Sequence, residues 1–273
     1  MHEQAPSARA RFLASLIEAE GVRYGREDSF KMSHASLLTQ RFLLGIPLRA
    51  ISPARLTHLC NALGMPQGCQ ATFLRHLADA NLVFFGLEED GDRGVYKVYL
   101  EFWDSVRRQV RRTRRRDPLL LHLGFKWRAD GDGNDVRVAR YTCFPLLSVY
   151  DILGRVQQIY ADGSAAMTHA AASGIIQRAA AANPAAAFLY VEVSEEGNPR
   201  KSFDVNLYKA NLRVADIQPF LYDLARHFCI PAQTLQTWLQ RIAARPLGHL
   251  AGGIGKEDEE FMTTYYETQA LDE

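Results

Sequence analysis

The sequence predicts an α+β fold in which about ten antiparallel strands close into a barrel ringed by helices. Three observations point to it. Runs of strict apolar–polar alternation come in pairs joined by tight turns, which marks β-hairpins. Helical segments separate successive pairs, so helix–hairpin–helix repeats about five times. The strand runs alternate, whereas buried parallel strands would be continuously apolar. Closing such a sheet removes its edges, and a barrel of about ten strands is wide enough to enclose a solvent-filled lumen.

In chain order, residues 7–20 carry Phe12, Leu13, Leu16 and Ile17 on one helical stripe. A polar-rich link, GVRYGREDSFKMSHAS, leads into LLTQRFLLGI, with Glu27, Lys31 and Arg41 near or within apolar neighbours. Ser52 then caps a helix whose first position is Pro53. That helix ends near Gly64, and a second spans about 70–80. LVFFGLEEDGDRGVYKVYLEFW is a hairpin in which Tyr96, Val98 and Leu100 oppose Lys97, Tyr99 and Glu101. A helix begins at Asp104. The next hairpin turns at GDGND and sets Leu121, Leu123, Phe125 and Trp127 against His122, Lys126 and Arg128, with Arg137 and Tyr141 sharing a face on the return.

Residues 145–172 admit two readings: a short helix followed by a hairpin turning at Asp162-Gly163, or one long helix running into an irregular loop. The Asp-Gly turn signal favours the hairpin. Residues 173–182 form an Ala-rich helix stopped by Asn183-Pro184. In the hairpin over 188–212, Leu189, Val191 and Val193 share a face away from Tyr190, Glu192 and Ser194; on the return, Phe203, Val205 and Leu207 oppose Asp204, Asn206 and Tyr208. Helices over about 214–228 and 231–243 precede a last hairpin around His249 and Tyr265.

With 273 residues and 47% hydrophobic content, the chain can bury a substantial core, read as a single domain over 1–273. A net charge of +1 gives no global attraction to nucleic acid or anionic membrane. Four cysteines in apolar contexts (Cys60, Cys69, Cys143, Cys229), without metal-like spacing, read as reduced core residues of a soluble, cytoplasmic monomer. The N-terminal stretch is too charged for a signal peptide, and nothing approaches a membrane span. Arg107, Arg108, Arg111, Arg112, Arg114, Arg115 and Arg116 form one basic run; without interleaved aromatics it reads as a solvated helix end rather than a nucleic-acid site. His122 and His169 read as ordinary sheet residues, GGIGKEDEE as a turn, and no residue set reads as a protein metal site.

If the apolar faces pack on the helix ring, Lys97, Tyr99, Lys126, Arg137, Glu192, Asp204, Asn206 and Tyr208 point into the lumen. Spaced cations with several tyrosines suit a diphosphate carrying an allylic tail: cations hold the leaving group, and aromatic faces stabilise a carbocation. The same alternation also suits any half-exposed antiparallel sheet.

EDSFKMSHASLLTQRFLLG, LVFFGLEEDGDRGVYKVY, FLYVEVS…DVNL and the terminal Tyr-Tyr pair together resemble the cyanobactin-type peptide prenyltransferases, of the αββα (ABBA) barrel class. The resemblance spans the chain. It implies transfer of a dimethylallyl group from dimethylallyl diphosphate, with Mg²⁺ on the diphosphate, to a side chain of a ribosomally made, cyclic peptide. By position it implies Glu27 as general base and Arg41, Lys97 and Arg137 as diphosphate ligands, with Lys126 beside them. Tyr99 and Tyr208, on the lumen faces, are expected to shield the cation. The resemblance puts Leu189 or Phe188 where isoprenoid length is gauged. A large side chain there favours the five-carbon donor.

Departures from the pattern point to the acceptor. Glu192 and Asp204 stand where relatives tend to have a glycine and a tyrosine, and His249 where an aromatic is common. Carboxylates inside a cavity need a cation, and a guanidinium matches them in bidentate fashion. N-prenylation of a peptide arginine is therefore expected, with Glu192, Asp204 and His249 binding the acceptor. The alternatives are a Trp, Tyr or small aromatic acceptor, or a non-catalytic barrel binding a ligand or RNA.

Overall fold

The computed structural model describes residues 6–113, 117–131, 136–161 and 165–269. Ten strands close in the order β1-β10-β9-β8-β7-β6-β5-β4-β3-β2, every neighbouring pair antiparallel. They are β1 (Gly25–Ser33), β2 (Ser36–Pro47), β3 (Leu82–Asp90), β4 (Arg93–Glu101), β5 (Leu119–Arg128), β6 (Val136–Phe144), β7 (Leu189–Glu195), β8 (Asn198–Asn206), β9 (Leu247–Ile254) and β10 (Glu260–Gln269). Around them lie α1 (Ala8–Ala19), α2 (Pro53–Ala62), α3 (Gln67–Leu77), α4 (Trp103–Thr113), α5 (Val149–Ile159), α6 (Ala166–Ala182), α7 (Gln218–His227) and α8 (Ala232–Ile242). The expected helix-ringed αββα barrel is the fold observed.

Two hairpins are not where the alternation put them. The polar-rich link near the N-terminus is the β1–β2 hairpin. Its outward residues Phe30 and Met32 are fully buried, while Glu27, Ser29 and Lys31 face the interior, a pattern diluted in the sequence by polar residues on the lumen side. Residues 155–172, in turn, carry no strand among those described. Ser148 and Asp151 cap α5 reciprocally, and Ile152, Val156 and Tyr160 recur every four residues on its buried stripe. On α6 the buried residues include Ala171, Ala172, Ile175, Ile176 and Ala179. The helical period wins over the Asp162-Gly163 turn signal, whose residues lie outside those described.

The core is the layer between barrel and helices. On one side α5 to α8 seal Ile176, Leu221 and Leu235 against Tyr190, Phe203 and Leu250; on the other α1 to α3 seal Leu13, Leu56 and Phe73 against Phe42, Phe85 and Phe125. Cys60, Cys69 and Cys143 belong to the buried layer, but Cys229 is exposed, in a positive-φ turn after α7 that lifts it off the core. Among the described residues no helix is long and apolar enough to cross a membrane. Arg107, Arg108, Arg111 and Arg112 lie on α4; Arg114 to Arg116 lie outside the described residues.

Leu221 is inaccessible to solvent and, with Leu224 and Ala225, forms the buried stripe of α7. Leu221→Ala should lower unfolding free energy by about 3 kcal/mol, measured as a fall in the urea midpoint at unchanged slope.

Candidate active site

Every second residue of each strand faces the lumen, so inward rows sample the barrel axis in steps of about 7 Å. The rows share one gradient. From the helix-connection end toward the hairpin turns, β4 reads Glu101, Tyr99, Lys97; β1 reads Glu27, Ser29, Lys31; β5 reads His122, Gly124, Lys126, Arg128; β6 reads Tyr141, Ala139, Arg137. Acids and imidazoles thus gather at one end, cations at the other, and Tyr99, Tyr141 and Tyr265 lie where the two halves meet.

The cationic half is a well of about 200 Å³ lined by Lys31, Arg41, Lys97, Lys126, Arg137 and Arg200. Two carboxylates orient these heads. Glu88 pairs with Lys97 and, at 3.1 Å, with Arg41 Nε; Arg41 Nη1 also donates to Thr263 Oγ1 at 3.2 Å. Glu195 accepts from Lys126 Nζ at 2.6 Å and Arg200 Nη1 at 3.0 Å. Burial pushes these carboxylates up, yet Arg41 and Lys97 hold Glu88 well below the usual range, and Lys126 and Arg200 hold Glu195 down to about 2. The cations still outnumber them. Burial, then Arg41 and Lys126, bring Lys97 down to about 7 against the attraction of Glu88.

The dividing layer is aromatic. Tyr99 and Tyr141 meet edge-to-face with centroids 5.6 Å apart, and His122 packs on Tyr141 at 5.7 Å. Burial raises the Tyr99 and Tyr265 phenols, so the rings stay neutral. Glycine at 124 makes room for this layer: a Cβ there would lie 2.7 Å from the Tyr99 ring.

Beyond it opens a chamber of about 380 Å³, with an apolar wall of Leu43, Phe84, Leu189 and Val191. Glu27 Oε1 accepts from the Tyr208 hydroxyl at 2.7 Å and lies 3.9 Å from His249 Nε2, while His249 Nδ1 meets Asp204 Oδ1 at 2.7 Å. Asn206 reaches the same imidazole at 3.3 Å. Burial opposes charge on His249, but Asp204 and Glu27 outweigh it and raise the imidazole to about 9. Burial likewise raises Glu27, opposed by His249 and the Tyr208 hydroxyl. Glu27 is thus a stronger base than an ordinary carboxylate. Gly248 is required here, since a Cβ would lie 2.5 Å from Glu27 Oε1. Across the chamber Glu101 pairs with His122 at 3.2 Å and accepts from Asn81 at 3.0 Å.

Of the expected site residues, the lumen brings together Glu27, Arg41, Lys97, Tyr99, Lys126, Arg137, Leu189, Asp204 and His249. Tyr208 reaches Glu27 from a 3-10 turn, Tyr208–Ala210, beyond β8. Two placements differ. Glu192 faces outward, accepting from Arg155 on α5 at 2.9 Å and from the Tyr190 hydroxyl at 3.1 Å. Phe188 is buried in the outer core. The cause is register. Pairing across the two-residue turn at Glu196-Gly197 sets odd-numbered residues of β7 opposite even-numbered residues of β8, as in Val191 opposite Asp204 and Glu192 opposite Phe203. Leu189, Val191 and Val193 therefore line the lumen beside Asp204. Lys31, Glu88, Glu101, His122, Tyr141 and Tyr265 also line it and were not assigned site roles, although their alternation carried the signal.

Because the folded-state value of His249 lies above the ordinary one near 6.5, its protonation stabilises the fold. That contribution is complete below the unfolded-state value and is lost as pH rises through about 9. NMR titration of the His249 ring should give a midpoint near 9, and Asp204→Asn should move it downward.

No protein-family model matches the chain, and no curated protein matches it. Among solved structures it is similar to NotF prenyltransferase, with TM-score 0.58 and 11% identity over 90% of this chain and 81% of that one. AnaPT from Neosartorya fischeri superposes with TM-score 0.56 and 10% identity over 90% of this chain and 78% of that one. NotF in complex with brevianamide F and DMSPP gives 0.54 and 13%, over 91% and 81%. At these identities the likeness concerns the fold: the chain has the ten-stranded ABBA barrel of these prenyltransferases.

Proposed function

We propose that this chain is a prenyltransferase moving a dimethylallyl group from dimethylallyl diphosphate to a side chain of a peptide, with the arginine guanidine as acceptor. The observation that carries this reading is the axial order of the lumen, a cation well and an acid-lined chamber meeting at three tyrosines. The diphosphate occupies the well, where Arg41, Lys97, Lys126 and Arg137 take up charge as the allylic C–O bond breaks. The five-carbon cation lies against Tyr99, Tyr141 and Tyr265, whose ring faces stabilise it. An acceptor nitrogen in the chamber forms the new C–N bond and gives its proton to Glu27.

The acceptor reading now rests on Glu27, Glu101 and Asp204, since Glu192 faces away. Glu27, Asp204 and Glu101, the last two paired with His249 and His122, give this apolar chamber acceptor oxygens for the N–H donors of a guanidinium on a larger molecule. The second reading, an aromatic acceptor, draws on the Phe84 and Leu189 wall and on the neighbour solved in complex with brevianamide F.

The donors present do not fit a protein-held Mg²⁺. Glu88 and Glu195 are each engaged by two cations, and among the described residues no three His, Cys, Asp or Glu side chains converge on one point.

Incubation with dimethylallyl diphosphate and peptides bearing Arg, Trp or Tyr should give an isoprene-sized mass gain on Arg in mass spectrometry; a gain on Trp or Tyr would select the second reading, and none would refute both. Glu27→Gln should cut kcat by roughly 10²- to 10⁴-fold while diphosphate binding persists. Diphosphate binding protonates Lys97, so affinity should weaken as pH rises through about 7. In calorimetry Lys97→Arg, which does not titrate there, should lose that part of the dependence.

A further inference from the structure

We infer that the barrel is a through-channel with a separate mouth for each ligand class, the diphosphate passing the hairpin-turn end and the acceptor the helix-connection end. The inference rests on the reading of the lumen proposed above, and it adds where a di- or polyphosphate anion first lands: at Arg128, Arg137 and Lys256.

The first observation is how exposure changes along the lumen. At the tyrosine level the cations are covered, the Arg41 and Lys97 side chains being 8% and 12% exposed. Two residues further along β5, and at the same end of β6 and β9–β10, Arg128, Arg137 and Lys256 line the same well and are exposed. Toward the other end the chamber lining also reaches solvent, at Trp103, Ala187 and Lys209. A barrel stopped at one end would bury its lining there. Among the described residues neither end does.

The second observation is the sign of charge at each mouth. Arg128, Arg137 and Lys256 outnumber Glu259 among the exposed charges lining the turn mouth, and the attraction they offer an anion continues inward through Lys126 to Lys97. From the opposite mouth, past Lys209, a diphosphate would meet Glu27, Glu101 and Asp204 around His249 before it reached the cation well. The third is orientation. For the diphosphate to rest in the well with its tail on Tyr99, a molecule entering past Lys256 advances tail first and stops when its phosphates meet the cations. A molecule entering past Trp103 would lead with its phosphates through the acid-lined, apolar chamber. The uncharged tail makes the first route the cheaper one.

The test uses ³²P-labelled inorganic pyrophosphate and the full chain, with association and release followed by rapid filtration. Ala187→Trp narrows the chamber mouth, and Lys256→Glu reverses a charge at the turn mouth. Ala187→Trp should leave the association rate within about twofold, whereas Lys256→Glu should slow it about fivefold or more and flatten its salt dependence. Lys256→Ala, a milder change at an exposed position, should slow it in the same direction. If Ala187→Trp slows pyrophosphate as much as Lys256→Glu, or if a saturating peptide acceptor traps bound pyrophosphate, the two ligands share a mouth and the inference is wrong. If wild-type protein binds no pyrophosphate, the diphosphate reading of the well falls, and this inference with it.

Discussion

The pairing of β1 with β10 is the constraint on which the rest depends. It sets Glu27 against Glu267 and Ser29 against Tyr265, residues from opposite ends of the chain. Without it the sheet would be an open ribbon with two free edges, and the alternating polar face would look onto bulk water. With it, Glu27 and Arg41 from the first hairpin share a lumen with His249 and Tyr265 from the last. Bringing such distant segments together costs loop-closure entropy, which the helices offset by covering the barrel's apolar outside with a buried layer on both flanks.

Closure also explains why opposite charges can coexist in one cavity. The cations that line the well are set by Glu88 and Glu195, each bridging two of them. The carboxylates of the chamber are offset by imidazoles, Asp204 by His249 and Glu101 by His122. Between them lies an aromatic layer, with Tyr99 and Tyr141 packed edge to face. In such a low-dielectric setting unpaired charge is expensive, and these pairings set opposite charges against one another within each half.

Much of this was legible in the chain. Antiparallel pairs spaced by helices, and no continuously apolar strand, specify a helix-ringed antiparallel barrel, and Lys97, Tyr99, Lys126 and Arg137 stand on polar faces by simple alternation. The count of ten strands was reached through two offsetting differences. The β1–β2 hairpin hid because β1 offers only Phe30 and Met32 to the core, and on β2 the lumen-facing Leu43 breaks the alternation of Phe42, Leu44 and Ile46. The 155–172 segment looked like a hairpin because a turn signal is local, whereas the helical stripe of Ile152, Val156 and Tyr160 declares itself only over three turns. His122 looked ordinary because nothing local distinguishes a histidine facing Glu101 inside a lumen from one facing water.

The sequence by itself determined which residues alternate, hence the class of fold and the chemical character of each strand face, since period and side-chain type are properties of the chain. Only the tertiary structure decided which face looks inward. On β7 the two-residue turn at Glu196-Gly197 sets the parity of pairing, turning Glu192 out to Arg155 and Leu189, Val191 and Val193 in. One residue of slip exchanges the two faces of a strand. Closure likewise brought Glu27, Asp204 and His249 to one point from three separate strands, because distances between strands far apart in sequence exist only once the barrel is shut.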